Sequence, residues 1–145
     1  MSLDGHYDPD NIFAKIVRGD MPAAKVFEDH DTLAIMDVFP QGRGHTLVIH
    51  KRAHARNLLD VEPEPLQTLI MTTQRVAREV RAALKPDGIF VAQFNGAVSG
   101  QTIFHLHFHI IPRWEGTPLG RHAGGGMADM GELGELARAI ASEIS

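Results

Sequence analysis

The sequence predicts an α+β fold, in which an antiparallel sheet of about five strands carries segregated helices. Two observations predict it. Along the chain the patterns run helix, strands, long helix, strands, helix, rather than strand and helix in strict alternation. The first strand-like runs also follow one another directly, divided only by the turn-forming stretches Glu28-Asp29-His30-Asp31 and Pro40-Gln41-Gly42-Arg43-Gly44. A chain of 145 residues suffices for one domain spanning 1–145, which on folding buries roughly two-thirds of its surface.

Each element has its own signal. Asp8-Pro9-Asp10 opens a short helix, in which Ile12, Phe13, Ile16 and Val17 recur at helical spacing until Gly19. Lys25 to Phe27, Thr32 to Asp37 and His45 to His50 follow as strands. From Glu64 to Leu84 the residues Leu66, Leu69, Ile70, Val76, Ala77, Val80 and Leu84 form one stripe, which makes this the longest helix. Pro86-Asp87-Gly88 breaks it. Ile89 to Phe94 and Thr102 to Ile111 are the next strands, the second ending at Pro112. The core therefore spans about 11–114, a Gly-rich loop occupies 115–128, and a last helix fills 129–145. That helix opens on a capping pair, Asp129 with Glu132, ahead of Leu133, Leu136, Ile140 and Ile144.

Composition narrows the function. A net charge of -4 argues against nucleic acid as partner, because displacing counterions from a phosphate backbone takes a basic face. With no cysteine there is neither a disulfide framework nor a thiolate metal site. No apolar run is long enough for a signal peptide or a membrane span, so the expected location is the cytoplasm, with no membrane partner.

The chemistry concentrates in His105-Leu106-His107-Phe108-His109. Side chains alternate along a strand, so the three histidines share one face while Leu106, Phe108 and Ile110 join the core. Three imidazoles cost free energy if buried without polar partners. Some ligand or network must answer them. From the run alone, a catalytic zinc held by His105, His107 and His109 stands beside a metal-free site.

Context adds a resemblance. Gly100-Gln101-Thr102-Ile103-Phe104-His105-Leu106-His107-Phe108-His109-Ile110-Ile111-Pro112-Arg113 resembles the signature of the histidine-triad superfamily of nucleotide hydrolases and transferases. Asn11 to Ala23 resembles that family's opening, and Met36-Asp37-Val38-Phe39-Pro40 with Gly44-His45-Thr46-Leu47-Val48-Ile49 resembles its central strand pair. The resemblance implies a HIT-like sheet and a purine nucleotide as substrate. It implies that His107 attacks the α-phosphorus to form a covalent nucleotidyl-histidine, which water then hydrolyses. His109 and His45 would contact the reacting phosphate or the nucleophile, and His105 would support the cluster. Asn95, Gln101 and Thr102 match positions on the phosphate or leaving-group side. Asp37 matches the ribose-binding carboxylate, and Ile12, Phe13, Ile16 and Val38 match the apolar slot for the base. The substrates implied are phosphoramidates or dinucleoside polyphosphates, and the assembly implied is a homodimer.

The sequence also departs from the family. Many members carry two cysteines where this chain has Asn11 and Ala14, and these join two histidines, here His54 and His105, in a structural zinc site. Two histidines are too few for closed tetrahedral zinc, so neither a metal nor any other cofactor is expected. His50 projects from the strand face opposite His45 and is expected at the surface. Two alternatives stay open: a zinc hydrolase built on the histidine run, and a nucleotide-binding regulator with little turnover.

Overall fold

The protein is described by a computed structural model covering residues 2–120 and 127–143. Helix α1 (Ile12–Arg18) starts later than Pro9 suggested. Its cap is Asn11, whose side-chain oxygen accepts from the Ala14 amide at 3.0 Å, while Asp8 accepts the Asn11 amide in the preceding turn. Gly19 ends the helix in the left-handed conformation, φ 87°.

Five strands follow: β1 (Lys25–Glu28), β2 (Thr32–Met36), β3 (Thr46–His50), β4 (Gly88–Ala92) and β5 (His107–Arg113). They form one antiparallel sheet in the order β1-β2-β3-β5-β4, with the long helix α2 (Pro63–Leu84) inserted between β3 and β4. The predicted α+β class is thus observed. Helix α3 (Met130–Ala141) closes the described chain, and its cap forms as expected, Asp129 accepting from the Glu132 amide at 3.0 Å. Ile144 and residues 121–126 of the Gly-rich loop lie outside the described residues.

Register decides what each face carries. Leu47 pairs with His109 and Ile49 with His107, which puts these four on one face with Leu33 and Ile35, under Phe13 and Ile16 of α1. The opposite face, with Ala34, Met36, Val48 and Ile110, packs on Leu69, Val76 and Val80 of α2 and on Leu133, Ala137 and Ile140 of α3. The larger core therefore fixes the sheet from behind, and the histidines stand on the other side. Gly44, at φ 86°, tightens the approach to β3: a Cβ there would meet Leu84 Cδ1 at 2.5 Å.

The last strand differs from its prediction. It begins at His107 rather than Thr102, because residues 102–106 bend and the Leu106 amide donates to the Ala55 carbonyl instead of to a strand. It also runs through Pro112. That residue pairs with Ile89 of β4 but lies beyond Thr46–Ile110, the last β3 pair, so no β3 carbonyl needs its missing N–H.

Candidate active site

The bend before β5 separates the three histidines of the run into different jobs. His105, outside the strand, is 2% exposed. Its Nε2 lies 3.0 Å from the His50 carbonyl, which can only accept, so Nε2 bears the proton. Burial, then the neighbouring His107, push its pKa down to about 4, and the ring is neutral. His107 Nδ1 lies 2.6 Å from the His105 carbonyl and by the same logic donates to it. The neutral ring then has its lone pair on Nε2, and His107 lines a cleft beside α1.

A second chain of bonds sets His109. The Gln41 amide donates to His45 Nδ1 at 3.0 Å, so in neutral His45 the proton sits on Nε2. That nitrogen lies 2.9 Å from His109 Nδ1 and 3.4 Å from Asp37 Oδ2. His45 therefore donates to His109, and neutral His109 keeps its own proton on Nε2. Asp37 is itself buried, its other oxygen accepting from the Phe39 amide at 2.8 Å. The rings of His107 and His109 stand 4.9 Å apart. In the neutral rings Nε2 is the unprotonated nitrogen of His107 and the protonated nitrogen of His109, and both residues line one cleft, a pairing that suits attack at phosphorus with charge building on oxygen.

The cleft is otherwise apolar. Ile12, Phe13, Ile16, Val38, Phe39, Leu47 and Ile103 line it, and its polar side chains are Asp37, Thr102, His107 and His109. Phe13 meets the His107 ring edge-on at 4.9 Å between centroids. Of the residues expected from sequence, the structure brings together Ile12, Phe13, Ile16, Val38, Asp37, Thr102, His107 and His109. His45 stands behind His109.

Asn95 and Gln101 are held elsewhere. Gln101 accepts from the Gly96 amide and donates to the Arg56 and Ile103 carbonyls, while Asn95 accepts from the Leu58 amide and exchanges bonds with Gln93. Both amides shape the loops around the site. Pro22, Ile35, Leu47 and Ile103 are cleft residues that sequence reasoning missed. For Ile35 and Leu47 the signal was present, since each lies two residues from Asp37 or His45 on a strand.

The HIT domain family matches residues 18–116, an interval containing all four site histidines. The chain belongs to the histidine-triad family. A HIT-like protein of Bartonella henselae, described as involved in cell-cycle regulation and solved with an unknown ligand, is 46% identical, with TM-score 0.91 over 97% of this chain and 100% of its own. A zinc-bound histidine-triad protein of Mycobacterium smegmatis is 36% identical, with TM-score 0.80 over 92% of each chain. An adenylylsulfatase of Arabidopsis thaliana is 35% identical over 120 residues, which cover 79% of this chain and 60% of that protein.

The zinc of some histidine-triad relatives does not fit the corresponding residues here. The Asn11 side chain is spent on capping α1, and Ala14 has no ligand atom. Tyr7, which sequence reasoning did not single out, stacks flat on His54 with centroids 4.8 Å apart, and its hydroxyl lies 2.8 Å from His105 Nδ1. His50, expected at the surface, is buried instead: its Nδ1 accepts from the amides of Arg52 and Ala53 as the chain turns out of β3. Burial lowers its pKa below the ordinary value.

Proposed function

We propose that this histidine-triad protein is a metal-independent nucleotide hydrolase or nucleotidyl transferase acting at an α-phosphorus, with His107 as nucleophile. The observation that carries the reading is the fixed tautomer of His107, whose Nδ1 donates to the His105 carbonyl at 2.6 Å, which makes Nε2 the unprotonated nitrogen of the neutral ring. The P–N bond forms at Nε2 as the bond to the leaving group breaks. His109 Nε2–H donates to an oxygen gaining charge, backed through His45 by Asp37. Water then cleaves the P–N bond, returns the lone pair to His107 and releases a nucleoside monophosphate.

The base, a purine, lies in the apolar part of the cleft between Ile12, Phe13, Ile16 and Val38, with the ribose hydroxyls toward Asp37. Asn95, Gln101 and Thr102 flank the leaving-group side, Thr102 directly and the two amides through the loops they hold. Amines, polyphosphate and sulfate are the leaving groups to compare, the last because one relative is named an adenylylsulfatase. A homodimer paired through β4 suits the sheet, whose β4 edge is unpaired among the described residues and exposes Phe90 and Val91. No described helix is long and apolar enough to cross a membrane.

One observation favours a second reading. Ligand atoms of Asp37, His45 and His109 lie within 4.8 Å of one another, and a divalent metal held there would make a different hydrolase. This set excludes His105 and His107, so the three-histidine zinc site considered from sequence is not the one assembled among the described residues. Against it, coordination through His45 Nε2 would displace the proton that nitrogen carries. The deciding experiment is turnover of an adenosine phosphoramidate, diadenosine polyphosphate and adenosine phosphosulfate by protein stripped with chelator. We expect at least one to be hydrolysed at a rate that added zinc does not raise. Activity lost on chelation and restored by zinc would establish the metal reading. Binding without turnover of any would establish a regulator.

A further inference from the structure

Tyr7 precedes the segment matched to the family and takes no part in the cleft, yet it touches the histidine run. Its hydroxyl and His105 Nδ1 are 2.8 Å apart across 98 residues of chain. The direction of this bond follows from the far side of the ring. His105 Nε2 donates to the His50 carbonyl, so in the neutral imidazole Nδ1 is an acceptor and the phenol must donate. Burial raises the Tyr7 pKa above its ordinary value, which keeps that proton on the phenol. The Tyr7 ring is held in turn by its flat stack on His54.

Both nitrogens of His105 are thereby bound, one to a side chain from the N-terminal segment and one to the backbone at the end of β3. The carbonyl of this same residue receives His107 Nδ1–H. We propose that Tyr7 is a positioning residue for catalysis: it clamps His105 so that the His105 carbonyl fixes the tautomer and aim of the His107 nucleophile. A metal ion on a histidine nitrogen fixes a ring in the same way, and this chain obtains the effect from a phenol. The proposal rests on the reading of His107 as nucleophile.

The test is Tyr7→Phe, which removes the hydroxyl and keeps the ring on His54. Removing such a supporting bond lowers activity by about tenfold or more, and we expect the loss in kcat with KM within about twofold of wild type. In nitrogen-15 spectra of the imidazoles, the His105 Nδ1 resonance should move downfield as it loses its donor. The share of His107 in the Nδ1–H tautomer should fall. Wild-type kcat, or unmoved His105 and His107 resonances beside a lowered melting temperature, would overturn the proposal and leave Tyr7 a packing residue. If wild-type protein hydrolyses no nucleotide, the nucleotidyl-histidine reading fails by itself. The resonances then decide alone whether Tyr7 sets the His107 tautomer, and no change in them overturns the proposal.

Discussion

His107→Ala is expected to lower kcat by at least about four orders of magnitude, because removing a nucleophile leaves only binding and electrostatic stabilisation to act. KM should change far less. His107 contributes one face of the cleft, while Ile12, Phe13 and Ile16, the residues proposed to hold the base, belong to α1 and keep their side chains in this variant. His107→Gly leaves room for a free imidazole, and partial rescue by added imidazole would show that a ring nitrogen is the missing group. Wild-type activity in His107→Ala would end the assignment. The site would then be reduced to Asp37, His45 and His109, which is the metal reading.

The second large effect is on stability in acid, and it follows from His105. Its ordinary pKa of 6.5 falls to about 4 in the folded protein, chiefly through burial. Below pH 6.5 the unfolded chain therefore binds a proton that the folded chain refuses until about pH 4. The stability involved is fully present above pH 6.5, falls as the pH is lowered, and is exhausted below the folded value. Each pH unit in this window costs about 1.4 kcal/mol. Between pH 6.5 and 5, before most carboxylates titrate, the loss is about 2 kcal/mol. His50 adds to it with the same sign, its pKa also being lowered by burial. Melting curves at successive pH values should show a fall of roughly 4–8 °C over that range for a domain of this size. His105→Gln should flatten the dependence. A wild-type melting temperature independent of pH from 6.5 to 5 would contradict the buried, neutral His105 described above.

Much of this architecture is legible in the sequence for physical reasons that act locally. The apolar stripe of α2 and the short apolar runs of β2 and β3, strands buried on both faces, are short-range signals, and they predict those elements to within a residue or so. The histidine run stands out by its own spacing, whereas the apolar slot of Ile12, Phe13, Ile16 and Val38 came from the resemblance to the histidine-triad family. What the sequence could not supply is the set of bonds made across long separations. His50 obeys the alternation rule, projecting to the face opposite His45, but the chain then turns back so that two amides cover its Nδ1. A polar residue on that face need not be exposed when the backbone itself satisfies it.

Gln101 and Asn95 illustrate the converse case. Their amides suit phosphate oxygens chemically, and nothing in the local sequence shows that the loops around Arg56 and Leu58 take those bonds. The start of β5 is displaced for a related reason: Leu106 finds its acceptor on Ala55, far back along the chain. Tyr7 is the extreme example, a single aromatic residue in a polar segment whose partner lies 98 residues further along the chain.

If His107 is the nucleophile, phosphorus becomes bonded to it during turnover. This is tested by mixing the protein with an adenosine phosphoramidate, quenching in base within the first turnover, where phosphorus–nitrogen bonds survive, and analysing the digested peptides by mass spectrometry. An adenylyl group is expected on the peptide containing His107, localised to that residue by fragmentation and absent from His107→Ala. Hydrolysis in which the first turnover leaves no adduct on His107, or places it on His109 or His45, would contradict it.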